Sequence, residues 1–148
     1  MAAPTLTIRE YHPESGALLG NITTLDFGRV TAGTHSRVKV IDIAFEGATS
    51  VGNIKLGIIS SGGLTVAASG VEHFGITDSA SFNASLASEP VSSHFDGING
   101  TGLASDSNNV SVGSRSSVLS NYIYLDVEVS STSLETVNGA YKVFFDYS

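Results

Sequence analysis

The residues that could do chemistry are few and scattered. His94-Phe95-Asp96 puts a His and an Asp on one face of an extended segment. That pair could begin a metal site or a His–Asp relay, but the sequence identifies no third partner. HExxH, GxSxG and cysteine are all absent. A polar loop start, anchored by Phe95, explains the same residues. The glycines of Asp96–Gly102 (DGINGTG) could form an anion nest. They lack the preceding strand and following helix that a phosphate loop requires. Asp96, Asn99, Asp106 and Asn108 could offer oxygens to Ca²⁺, although their spacing matches no EF-hand. His12, His35 and His73 are isolated and read as loop or surface residues. Asp26 sits beside Phe27-Gly28 and His35 lies within the turn TAGTHS. Nothing here pairs an acid with a base or activates a nucleophile, so a non-enzymatic protein without cofactor or metal is expected.

Aromatic side chains concentrate near the C-terminal end: Tyr122, Tyr124, Tyr141, Phe144, Phe145 and Tyr147. In NYIYLDVEV, Ile123, Leu125, Val127 and Val129 share one face and Tyr122, Tyr124, Asp126 and Glu128 the other. In GAYKVFFDY, Tyr141, Val143, Phe145 and Tyr147 alternate with Lys142, Phe144 and Asp146. If the first set of each strand is core, Tyr122, Tyr124 and Phe144 face outward. They form a candidate subunit interface with Phe95 and Ile98 of the long loop region. A second packed layer, or cover from that loop region, would account for them equally. Asn138-Gly139 is a turn pair, so these two strands are expected to pair as an antiparallel hairpin.

The elements that would position these groups are strands. Alternation and turn signals recur about every ten residues and no helical period of useful length appears. Leu6 and Ile8 alternate with Thr5, Thr7 and Arg9 until HPESG breaks the pattern. In SRVKVIDIAFE, Val38 and Val40 take one face while Ile41, Ile43 and Phe45 take the other. That requires a β-bulge near Val40–Ile41 or a strand buried on both faces. NIKLGIISSGGL follows, then the weaker LTVAAS and VEHFGI, then a loop region over 80–118. The opening segment 1–20 is either an ordinary first strand or an arm that adds to a neighbour's sheet edge.

The chain has 148 residues, enough for one domain with its own core. Only 14% of them are charged, against 23 Ser and 12 Thr. The surface must therefore be polar but largely uncharged, which costs less to desolvate against neighbours than ions do. Net charge is −7 and the seven Lys and Arg are dispersed, which argues against nucleic acid as a direct partner. No basic segment precedes an apolar run at the start, and no stretch approaches a membrane span. No signal peptide and no membrane partner are expected. Four Asn-x-Ser/Thr triplets, at Asn21, Asn83, Asn99 and Asn109, read as chance matches in an Asn/Ser/Thr-rich chain.

Leu25, Phe27, Gly28, Val30, Gly33 and Ser36 resemble the opening of immunoglobulin-like sandwiches of the major-sperm-protein/ASH type. The asparagine usual after that family's long strand is replaced by Glu46-Gly47. The resemblance implies a single immunoglobulin-like antiparallel β-sandwich of about seven to nine strands, acting in adhesion or assembly. The cysteine-free, acidic, Ser/Thr/Gly/Asn-rich chain also resembles tailed-bacteriophage virion proteins. That implies a protein made in the host cytoplasm and incorporated in the virion. Its expected role is to decorate or cement the capsid as a homo-oligomer against the major capsid protein or other virion proteins. The alternative is a tail, neck or fibre accessory module that binds a glycan or host receptor through its long loops.

Overall fold

The structure, a computed structural model, describes residues 3–23, 36–61, 72–88, 110–129 and 138–148. Its strands are β1 (Thr5–Tyr11), β2 (Leu18–Ile22), β3 (Lys39–Glu46), β4 (Val51–Ser61), β5 (Glu72–Ser79), β6 (Val110–Ser111), β7 (Ser114–Ser116), β8 (Leu119–Ser120), β9 (Tyr122–Val129) and β10 (Asn138–Tyr147). A five-residue helix, α1 (Ala84–Ser88), follows β5. All pairings among these strands are antiparallel. They form a larger sheet of seven strands and a smaller sheet ordered β10-β4-β6. The order β1-β3-β9-β5 is that of strands A-B-E-D in a constant-type immunoglobulin sandwich, and β4–β10 corresponds to its C–F pair. The chain is an antiparallel β-sandwich, as the alternation implies.

Between the sheets lie Ile41, Ile43 and Phe45 of β3, Val51, Ile54 and Leu56 of β4, Ile76 of β5, and Ile123 and Leu125 of β9. Each such aliphatic side chain gains about 1.5–3 kcal/mol from leaving water. Val143 and Phe145 of β10 close the core from the smaller sheet, with the Phe45 and Phe145 rings 4.9 Å apart. β3 keeps an unbroken register with β1 from Glu46 to Val40 and is sealed on both faces. Of the two ways to reconcile Val40 with Ile41, burial on both faces is therefore the one adopted.

The irregularity lies on the partner strand instead. β3 advances three residues from Ala44 to Ile41 while its partner advances four, from Leu119 to Ile123. β8 and β9 are thus one strand interrupted by a bulge at Ser120-Asn121. Bulges strand backbone groups, and here a side chain meets one of them. The Ile43 N–H donates to Ser120 Oγ at 2.8 Å, and Ser120 Oγ donates to the Asn121 carbonyl at 2.8 Å.

β1 is no free arm: β2 and β3 occupy its two edges. HPESG is the turn between β1 and β2, closed by His12 N–H donating to the Ala17 carbonyl at 2.8 Å. His12 Nδ1 accepts from Glu14 N–H at 3.1 Å, so this histidine fastens a turn. The expected hairpin of the last two strands is not formed. β9 has both edges taken by β3 and β5, while β10 pairs with β4 in the other sheet. Asn138 and Gly139 belong to β10, opposite Ser61 and Ser60, and make no tight turn. Ser148 continues this pairing, donating its N–H to the Ser50 carbonyl and accepting from Thr49 N–H.

Deleting residues 141–148 should abolish cooperative folding, because it removes most of the β4 partner and the core groups Val143 and Phe145. Thermal melting by circular dichroism checks this, and a sharp two-state melt in the truncated chain would refute it. Gly113 has φ +61°, and a Cβ there would stand 2.6 Å from Asn121 Nδ2, which is itself held on Asp78. Gly113→Ala should therefore cost about 1–2 kcal/mol in urea unfolding.

Candidate functional site

The chemistry of the described residues gathers on the outer face of the larger sheet. Strand alternation directs Ile41, Ile43 and Phe45 into the sandwich and leaves Val38, Val40 and Asp42 on the opposite side. The neighbours match in register: Arg9 lies opposite Asp42 and Tyr11 opposite Val40. Asp42 is fully buried. An isolated carboxylate could not stay ionised there, and two arginines resolve this. Arg9 grips Asp42 with two prongs, Nε to Oδ1 at 2.8 Å and Nη2 to Oδ2 at 2.5 Å. Arg115, from β7, brings Nη2 to Oδ2 at 2.6 Å. The Tyr11 hydroxyl donates to the same Oδ2 at 2.8 Å.

The bulge at Ser120-Asn121 helps place Arg115. Its Nη1 donates to the Ser120 carbonyl at 2.5 Å, while its guanidinium lies over the Tyr122 ring, 4.1 Å from the centroid. Tyr122 also meets Tyr11 edge to face at 5.1 Å. A buried pocket of Tyr11, Val38, Val40 and Tyr124 continues the cluster, covered by Phe82, Leu86 and Ala87. Asn83 opens α1 by accepting Ser85 N–H on Oδ1, and its own N–H donates to the Tyr124 hydroxyl at 2.8 Å.

Burial pushes the Asp42 carboxyl pKa up, and the hydrogen bonds from Arg9, Arg115 and Tyr11 more than reverse it, leaving a value below the ordinary one. The Arg9 pKa is raised, chiefly by its hydrogen bond to Asp42. Burial, and then donation to the carboxylate, raises the Tyr11 pKa, and burial does the same at Tyr124. All four donors converge on a carboxylate that is already engaged on both oxygens. Asp42 is a structural counter-ion, and its oxygens are committed to holding β1, β3 and β7 together.

The aromatic interface expected from sequence is rearranged. Tyr124 is wholly buried beneath the chain's own segment Phe82–Ala87, so the cover comes from within and Tyr124 is not an outward contact residue. Tyr122 is half-buried between Arg115, Tyr11 and Phe82. Phe144 does lie on the outer side of the smaller sheet, half-buried beside a shallow depression shared with Asn53, Lys55 and Asp146. Phe95, Ile98, His94, Asp96, Asn99, Asp106 and Asn108 lie outside the described residues, as do Asp26, His35 and the family-like stretch 25–33. His73 sits on β5, opposite Glu128. Among the described residues no three His, Cys, Asp or Glu side chains gather as metal ligands. No helix among them is long and apolar enough to cross a membrane.

The sequence reading passed over Asp42, Arg9 and Arg115. The available signal was an aspartate inside the apolar run VIDIAF, where a buried charge demands partners. Comparison with known families finds no family model that matches this chain. Comparison with curated proteins finds no match either.

Asp42→Asn removes the charge while keeping the shape, leaving two guanidiniums uncompensated. A loss of about 3–5 kcal/mol is expected from urea unfolding at neutral pH. The pH dependence has a definite sign. The folded-state pKa lies below the unfolded one, so the unfolded chain takes up the proton first. The stability from Asp42 is complete above the ordinary carboxylate pKa near 3.8 and is lost as pH falls toward the folded value. Urea midpoints should therefore fall more steeply below pH 4 in the native protein than in Asp42→Asn. Parallel profiles would show that Asp42 carries no such linkage.

Proposed function

We propose that this protein is a non-enzymatic structural subunit of a virion, acting as a capsid decoration or cement protein of the tailed-bacteriophage kind that its composition resembles. The supporting observation is the edge of the larger sheet at β2. Leu18 and Leu19 are 54% and 58% exposed there, on a strand, LLGNI, that has no charged residue. Leu18 lies opposite Tyr11 and Leu19 is the extra residue of a bulge beside it, and both present apolar surface at this edge. Sheet edges of monomeric proteins are ordinarily blunted with charge, proline or bulges. The β1–β2 pairing does carry one register shift, at Glu10/Tyr11, but the leucines remain outward. A neighbouring subunit that covered this edge would bury them, and the low charged fraction of the chain as a whole, 14%, limits the ions that such contacts must desolvate. Repeated across a lattice, such modest contacts add through effective concentration. The most heavily hydrogen-bonded polar cluster among the described residues is spent on bracing, which also favours a mechanical role.

Replacing both leucines (Leu18→Lys with Leu19→Lys) should leave the melting temperature nearly unchanged, because both side chains are exposed. The same double variant should lose most of its binding to expanded capsids in a sedimentation assay. Particles lacking the protein should disassemble at lower temperature. Full capsid binding by the double variant, or density for the chain only at the tail, would overturn the proposal.

A further inference from the structure

We propose that Arg9 and Arg115 form a binding site for a single carboxylate on the outer face of the larger sheet, a function separate from their bracing of Asp42 and independent of the assembly reading. Both Nη2 atoms contact the same Asp42 Oδ2, at 2.5 and 2.6 Å, so these two nitrogens stand no more than about 5 Å apart. Among the described residues one carboxylate serves two guanidiniums, which leaves one positive charge of the cluster uncompensated there, on a protein of net charge −7. Glu10 cannot supply the balance. It is paired with Lys39 at 3.0 Å, and it alternates with Arg9 and Tyr11 onto the opposite face of β1.

The donors for a second anion are in place. Arg9 uses Nε and Nη2 on Asp42, and Arg115 uses Nη1 on Ser120 and Nη2 on Asp42. Arg9 Nη1 and Arg115 Nε have no hydrogen-bond partner among the described residues. The two side chains are 23% and 16% exposed while Asp42 is sealed beneath them. Tyr122 under Arg115 and Tyr11 beside Arg9 fix both guanidiniums, so little freedom remains to be lost on binding. The excess of one charge selects the ligand class. A carboxylate completes a balanced set of two guanidiniums and two carboxylates, with the planar fork geometry that suits arginine. A phosphate dianion would leave a net negative charge in a partly desolvated place.

The test uses the native protein at constant ionic strength, exchanging chloride for acetate while following the arginine Nε–H signals by proton–nitrogen NMR. Saturable shifts at Arg9 and Arg115, with the exposed Arg37 unmoved, are expected. Arg115→Lys keeps the charge but loses the fork, and should abolish the Arg9 response. If that variant fails to fold, the contrast with Arg37 in the native protein still decides. A second arm uses N-acetyl-Gly-Glu-Gly-amide, whose only carboxylate is on a side chain. Shifts with both probes assign the site to an acidic side chain of a protein partner, and shifts with acetate alone assign it to a small free carboxylate. Linear or equal shifts at all arginines, no shift with either probe, or tighter binding of inorganic phosphate than of acetate would overturn the proposal.

Discussion

The structure turns on one constraint: β3 is sealed on both faces, and one of those faces carries a charge. Val40, Ile41 and Ile43 are buried without remainder, and Asp42 stands between them equally buried. A carboxylate in that position is tolerable only with cations and donors brought to it. They come from β1 and β7, strands that flank β3 on opposite sides. The larger sheet is thereby cross-linked strand to strand over its outer face, while the apolar core holds its inner face.

Two departures from regularity serve this arrangement. The bulge at Ser120-Asn121 offers the carbonyl that receives Arg115, and the Ser120 hydroxyl satisfies the Ile43 N–H that the bulge would otherwise strand. The cover formed by Phe82, Leu86 and Ala87 seals Tyr124 next to the ionic cluster. The turn at Ser117-Val118 then fastens the two sheets together. Its carbonyls accept N–H groups from Val51 of β4 and from Phe45 of β3.

Much of the sandwich was legible in the sequence because strand alternation reports faces. Ile123 and Leu125 were assigned to the core side and lie there, and Ile41, Ile43 and Phe45 separate from Val38 and Val40 as the pattern requires. Alternation does not report neighbours, and that is where the reading failed. β9 and β10 each carry the pattern of half a hairpin, yet they belong to different sheets. Nor does it say what covers a face: Tyr124 alternates onto the outer side, and of the alternatives open for it, cover from the 80–118 region is the one adopted. The ionic cluster was hidden for a related reason. Asp42 is 33 residues from Arg9 and 73 from Arg115, and only the folded register brings them together.

Asp42 and Arg115 form one energetic unit, so the sharpest test is a double-mutant cycle of Asp42→Asn and Arg115→Gln, read by urea unfolding at pH 7. Coupled groups in one hydrogen-bond network interact by about 0.5–3 kcal/mol. This pair, with its carboxylate fully buried, should fall in the upper half of that range, and the double variant should be clearly more stable than the two single losses added together. Simple additivity within about 0.5 kcal/mol would contradict the claim that this buried carboxylate ties the larger sheet together.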